Sequence, residues 1–170
     1  MEIDLEDSGR LLIDQQSYLI PELQLMVGFD QKSPHHPERD LLKHTQQVLR
    51  LAKKYYKKDP SLRDELLIAA VFHDIAKPVC WQVNKKDPEF RTFYGHDIEG
   101  SKMFKEIDAR FGLSVKHGFS QSKVTWLIEQ HIRICKLDNM RIYKQDQLKS
   151  HALFKELEIL RDCDTKGRKP

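Results

Sequence analysis

Leu66-Leu67-Ile68-Ala69-Ala70-Val71-Phe72 is the longest uninterrupted apolar run in the chain, and it ends in His73-Asp74. Such a run has to be buried, and with the residues before it predicts a core helix. The imidazole and carboxylate at its end are then carried into the interior, where each is costly unless something pairs with it. A divalent cation pairs with both. The chain is therefore expected to fold around a metal site, and metal-dependent hydrolysis is the first function to weigh.

At 170 residues, with 39% hydrophobic and 32% charged side chains, the chain suits a soluble domain with a real core. Residues 1–170 are read as a single domain, with 1–9 loosely ordered. The Leu66–Phe72 run is far too short to span a bilayer. The start, Met1-Glu2-Ile3-Asp4-Leu5-Glu6-Asp7, is acidic and lacks the basic residues and apolar stretch of a signal peptide. A cytoplasmic protein with no membrane partner is expected. Cys80, Cys135 and Cys163 form no CxxC pair and read as isolated reduced thiols, not as a disulfide framework or a thiolate zinc site. The net charge of +3 permits an anionic substrate without requiring one.

Helical spacing dominates, so the fold class is all-α, a helical bundle. A first helix is predicted over Leu11–Leu25, then a loop over Gln31–Arg39 punctuated by Pro34 and Pro37. The second helix runs from Asp40 to Lys58, with Leu41, Val48, Leu51, Ala52 and Tyr55 on one face and His44 among them. The third starts with Asp59 as cap and Pro60 at its first position. Its stripe is Leu62, Leu66, Ala69, Ala70 and His73. A polar loop follows to Gly95, briefly extended over 89–94. A fourth helix spans His96 to Gly112. A fifth begins after Ser120 or Ser122, with Val124, Leu127, Ile128, His131 and Cys135 aligned. A last long helix covers Gln145–Asp164, its stripe Leu153, Leu157 and Leu160 ending on Asp164.

His44, His73, His131 and Asp164 thus sit in the apolar stripes of four different helices, while His96 stands at a helix start behind a loop. Bundle metal sites are built from inward side chains on facing helices, and imidazole with carboxylate suits divalent metals. One inward histidine is more often a satisfied core residue. Four inward groups, one of them in a His-Asp pair, favour a site. His117 and His151 read as structural or surface residues. His35 and His36 lie in a loop, either exposed or at the site mouth. Lys53-Lys54-Tyr55-Tyr56-Lys57-Lys58 could face nucleic acid, but lysines at a helix C-terminus already suit its dipole.

These residues resemble the HD-domain metal-dependent phosphohydrolases, whose pattern H…HD…D falls here on His44, His73-Asp74 and Asp164. His36-Pro37-Glu38-Arg39-Asp40 through His44-Thr45 resembles the HPEGD…HT segment, and His73-Asp74-Ile75-Ala76-Lys77-Pro78 resembles HDLGKP. Gly95-His96-Asp97-Ile98-Glu99-Gly100 resembles GHExxG, and Asp164-Thr165-Lys166-Gly167-Arg168 resembles DxxGR. Together they are most similar to the HD module of bacterial CCA-adding tRNA nucleotidyltransferases, and to the HD module of HD-domain/polynucleotide kinase RNA-repair enzymes. The likeness covers about residues 20–168. Ala76 and Arg39 depart from glycines of the pattern, and Asp97 from a glutamate. The 170 residues hold no nucleotidyltransferase head and no GxxxxGK[ST], so neither CCA addition nor kinase chemistry is expected of them.

The resemblance implies a metal-dependent phosphoesterase for 2′,3′-cyclic phosphate and 2′-phosphate ends of RNA or nucleotides, with 3′-phosphate ends as a further candidate, and with metal-activated water attacking phosphorus. His44, His73, Asp74 and Asp164 are expected to bind one divalent ion. His96 and His131 are expected to bind a second, with Asp74 bridging. In the single-ion variant, His96 or His131 is instead a phosphate ligand or general acid. One or two ions of Mn, Ni, Co, Fe, Zn or Mg fit these donors. Asp74, His96, His131 and Lys77 are the expected catalytic residues. Lys77 and Arg168 are the expected phosphate contacts, against helix-end charge compensation for Lys77 and a tail role for Arg168. His36 and Glu38 are expected to orient the ligands. The partners implied are a phosphorylated nucleotide or RNA end, and fusion or joint action with an RNA-repair kinase or ligase. The alternatives are an HD nucleotidase for 5′-nucleotides or nucleotide polyphosphates, and a non-catalytic RNA-binding module.

Overall fold

A computed structural model of the chain describes residues 1–168. It opens on a small antiparallel meander, β1 (Ile3–Leu5), β2 (Leu11–Ile13) and β3 (Gln16–Tyr18), with Ile3 facing Ile13 and Leu11 facing Tyr18. Ile3, Leu5, Leu11, Ile13 and Tyr18 are all buried, the alternation of a sheet with one face on the core. The loosely ordered start and the helix over Leu11–Leu25 are thereby corrected. Only α1 (Pro21–Gln24) is helical there, with proline in its first turn. The β2–β3 turn is Asp14-Gln15, both at positive φ (47° and 70°). That is the hairpin geometry usually marked by Asn-Gly, here without the residues that mark it.

The helical body follows. α2 (Leu41–Lys58) is capped by Asp40, whose carboxylate accepts from the Lys43 amide at 3.0 Å. It buries Leu41, Leu42, His44, Thr45, Val48, Leu49 and Ala52. α3 (Glu65–Phe72) is buried at every position, as expected of a helix apolar all round. It starts later than Asp59-Pro60 predicts. The Asp59 carboxylate instead accepts from the Ser61 amide at 3.0 Å, a local turn that competes with helix. α4 (Lys77–Cys80) leads into the hairpin of β4 (Gln82–Val83) and β5 (Arg91–Thr92). α5 (His96–Phe111), α6 (Leu113–His117) and α7 (Gln121–Gln130) come next. A 3-10 turn over Ile134–Asn139 takes Cys135 out of the α7 stripe and leaves it exposed.

The long last helix is two: α8 (Ile142–Lys149) and α9 (Phe154–Lys166). At the break, the His151 ring accepts from the Leu153 amide at 3.2 Å and stacks on Trp126, centroids 3.6 Å apart. α3 forms the centre of the bundle, touching α2, α7 and α9, while α5 packs along α7. At the end of α9, a Cβ on Gly167 would stand 3.0 Å from Val48 Cγ2, so glycine lets this helix end close onto α2. Among the described residues no helix is long and apolar enough to cross a membrane.

Candidate metal centre

Every expected ligand is buried where helices converge. His44 lies in the second turn of α2; His73 and His131 occupy the C-terminal caps of α3 and α7. His96 is the first residue of α5, and Asp164 sits in the last turn of α9. Helix ends are informative here, because the last carbonyls of a helix have no partner within it. Ala70 O takes His73 Nδ1 at 3.1 Å, and Ile128 O takes His131 Nδ1 at 2.6 Å. Phe93 O likewise takes His96 Nδ1 at 2.6 Å. Glu38 Oε1 lies 2.9 Å from His44 Nδ1 and 2.7 Å from His36 Nδ1. Nδ1 of His73, His96 and His131 thus donates to a carbonyl, which in the neutral ring leaves the lone pair on Nε2, and the Nε2 atoms of these three and of His44 face Asp74.

The Asp74 carboxylate divides them. Its Oδ2 is 3.3 Å from His73 Nε2 and 3.7 Å from His44 Nε2. Its Oδ1 is 3.1 Å from His96 Nε2 and 3.6 Å from His131 Nε2. His44 Nε2 also lies 3.1 Å from Asp164 Oδ1, and the His96 and His131 Nε2 atoms are 3.3 Å apart. The donors thus fall into two triads, His44–His73–Asp164 and Asp74–His96–His131. Two ligand atoms held about 2.1 Å from one ion lie about 3.0–3.4 Å apart at octahedral to tetrahedral angles. Four of the six observed separations, 3.1–3.3 Å, are of that size, and the other two, 3.6 and 3.7 Å, are slightly wider. Both ring nitrogens of His44, Nε2 of His73 and Oδ2 of Asp74 are buried without an aligned hydrogen-bond partner, Oδ2 having only the Lys77 ammonium at 2.7 Å as ion-pair partner. Convergent, unsatisfied donors of this kind fit a divalent cation.

Electrostatics keep the acids ionised. Burial alone would raise the Asp74 pKa, but interaction with His73 and with the Lys77 ammonium holds it well below the carboxylate range. Asp164 is likewise lowered, its burial outweighed by contact with His44 and the nearby His73. Burial disfavours a charged His44, yet Asp164 and Glu38 raise its pKa. His36, buried beside the Lys77 charge, is lowered to about 4.

Lys77 is not at the surface. Its ammonium lies 2.7 Å from Asp74 Oδ2, donates to Gln31 Oε1 at 2.8 Å, and stands 5.4 Å over the Phe93 ring. Gln31 is fully buried, yet its place in a proline-punctuated loop carries no signal in the sequence. Arg168 Nη2 donates to Asp164 Oδ2 at 2.7 Å, while its Nε is buried with no hydrogen-bond partner among the described residues. His36 is buried, and His35 beside it is exposed. Of the departures from the pattern, Ala76 sits at φ −88°, where alanine is unstrained, whereas Arg39 takes φ +56° and pairs with Asp30. Of the other histidines, His117 bonds the Tyr18 hydroxyl at 2.8 Å and lies apart from the cluster, as a structural residue would. Tyr55 and Tyr56, which could have stacked on bases, donate to Asp162 and Asp64. The cluster opens through Asp74, His96 and Asp164 into a cavity of about 550 Å³ that also takes in Lys77, Tyr94 and Arg168.

Fold and site define a helical domain built around a buried His–Asp cluster. The family profile described as HD domain matches residues 41–166, and the chain belongs to this family, a family of metal-dependent phosphohydrolases. The chain is also similar to proteins named Multifunctional CCA protein. The one from Stenotrophomonas maltophilia (strain R551-3) is 24% identical over 157 residues, 88% of this chain and 36% of the relative. The one from Pasteurella multocida (strain Pm70) is 27% identical over 171 residues, 96% of this chain and 38% of the relative. The one from Actinobacillus pleuropneumoniae serotype 5b (strain L20) is 35% identical over 98 residues, 56% of this chain and 22% of the relative. The chain spans at most 38% of the length of these relatives.

Proposed function

We propose that the domain is a metal-dependent phosphoesterase acting on 2′,3′-cyclic phosphate and 2′-phosphate ends of RNA or nucleotides. The observation that carries the reading is the aim of four imidazole Nε2 atoms at the two oxygens of one carboxylate. In this reading His44, His73, Asp74 and Asp164 hold one divalent ion, and His96 and His131 hold a second that shares Asp74. Ions bound there supply Lewis acidity at the phosphoryl oxygens and lower the pKa of water. The protein does the rest. Glu38, with His36 against it, fixes the His44 ring, and the backbone carbonyls fix the other three. Lys77 and Arg168 line the cavity and would take the non-bridging phosphate oxygens. The choice of cyclic and 2′ ends rests on the motif resemblance to HD modules of RNA-processing enzymes, together with the likeness to proteins named Multifunctional CCA protein.

The test is hydrolysis of 2′,3′-cyclic AMP, 2′-AMP, 3′-AMP and 5′-AMP with Mn, Ni, Co or Mg, with Asp74→Ala as control. Preference for the cyclic and 2′ substrates, lost in the variant, is expected. Preference for 5′-AMP would replace this reading with a nucleotidase, and full activity in Asp74→Ala would remove the site.

A further inference from the structure

Tyr94 is the most exposed aromatic side chain among the described residues, at 78%, and it sits beside the most buried polar cluster of the fold. It lines the same cavity as Asp74, His96 and Asp164. Among the described residues it has no hydrogen-bond or ring partner, so the contacts of the fold do not account for a tyrosine here. Tyr56 and Tyr18, by contrast, each bond a side chain.

The backbone under Tyr94 is tied on both sides. Before it, the Arg91 amide donates to Lys32 O at 2.9 Å and the Arg91 guanidinium to Asp30 O at 2.6 Å. The Phe93 ring packs on Phe29 at 6.3 Å, with the Lys77 ammonium on it. After it, Phe93 O accepts both the His96 amide at 3.3 Å and His96 Nδ1 at 2.6 Å, which closes the Tyr94-Gly95 turn. Gly95 takes φ +78°, a conformation glycine adopts without strain, and no atom lies within 4 Å of where its Cβ would be. The turn thus presents a ring on a fixed base, with empty space next to it. The same carbonyl that orients the candidate ligand His96 also closes the turn that carries Tyr94. The Cα atoms of the two residues are at most about 7 Å apart along the chain, and both residues line the one cavity.

We propose that the Tyr94 ring is a stacking platform for the terminal nucleobase, so that the domain selects nucleotides and RNA ends over phosphoesters that lack a base. The proposal rests on the phosphoesterase reading and adds a specificity-determining residue to it. An aromatic platform tolerates any base, because every base has a π face. A tyrosine held by its backbone also loses little freedom on contact, having only two side-chain torsions. Selection at this position is therefore for the presence of a base and not for its identity.

The experiment compares wild type, Tyr94→Ala and Tyr94→Phe on 2′,3′-cyclic AMP and on glycerol 1,2-cyclic phosphate, which has the same reacting ring and no base. Wild type is expected to favour the nucleotide in kcat/KM. Tyr94→Ala is expected to lower that preference about 5- to 150-fold, the range of one base stack, mainly through KM. Tyr94→Phe is expected to restore it. An unchanged preference in Tyr94→Ala, or an equal loss on both substrates, overturns the proposal. If wild type hydrolyses neither substrate, the phosphoesterase reading has failed, and equilibrium binding of 2′-AMP and glycerol 2-phosphate decides instead. Tighter binding of 2′-AMP that Tyr94→Ala weakens by the same factor supports the platform. Equal affinities, or no binding of 2′-AMP, overturn it.

Discussion

Replacing Lys77 by methionine is expected to destabilise the metal-free protein strongly and the metal-loaded protein only slightly. The Lys77 ammonium lies 2.7 Å from Asp74 Oδ2, and the two residues are 5% and 2% exposed. At an effective dielectric constant of about 20, unit charges at that distance attract by roughly 6 kcal/mol before desolvation is counted. Removing one member of a buried pair leaves the other uncompensated, which costs about 3–5 kcal/mol. Gln31 Oε1 loses its donor as well, for about 1 kcal/mol more. Methionine keeps most of the volume, so the cavity contribution is small. A divalent cation between Asp74 and the histidines replaces the lost charge, and the penalty should then shrink to about 1–2 kcal/mol. Urea unfolding reads the effect. With a slope of about 2 kcal/mol per molar, the midpoint should fall by about 2–3 M in chelator and by less than about 1 M in saturating Mn. Equal losses in the two conditions would refute the idea that Lys77 and a metal neutralise the same carboxylate.

Glu38→Gln removes the charge that faces His44 Nδ1, and metal affinity measured by titration calorimetry is expected to fall about 10- to 100-fold; an unchanged affinity would strip Glu38 of its orienting role. His36 titrates near 4 in the folded protein against 6.5 ordinarily. The unfolded chain therefore takes up that proton first, and the stability His36 contributes is complete above about pH 6.5 and is lost as pH falls toward 4. Between pH 7 and pH 5 the loss is about 2 kcal/mol, visible as a steeper decline in wild type than in His36→Gln when both are unfolded in chelator; parallel declines would contradict it. Leu11→Ala, at a fully buried position of β2, is expected to cost about 2–5 kcal/mol, whereas a loosely packed N-terminal segment would show almost no change in chemical unfolding.

The candidate site was more legible in the sequence than the chain's first quarter. His73-Asp74 stands out because a core helix ends on polar groups, and His44, His131 and Asp164 each continue an apolar stripe. Those signals are local, and helical periodicity carries them. The N-terminal meander was missed because its strands are three residues each and the Asp14-Gln15 turn lacks the glycine that marks such hairpins. The break between α8 and α9 has neither proline nor glycine, and depends on the long-range stacking of His151 on Trp126. Gln31 is buried where Lys77, from a segment distant in sequence, donates to its Oε1. The inward turn of Lys77 itself follows from the charge of Asp74, which periodicity does not encode.

The most direct test of the metal centre is the metal content of purified protein by elemental analysis, for wild type, His131→Asn and Asp74→Asn, with folding checked by circular dichroism. If Asp74 is shared between two triads, wild type will carry about two ions per chain, His131→Asn about one, and Asp74→Asn less than one. An Asp74→Asn protein that is folded and keeps the wild-type complement would contradict the account.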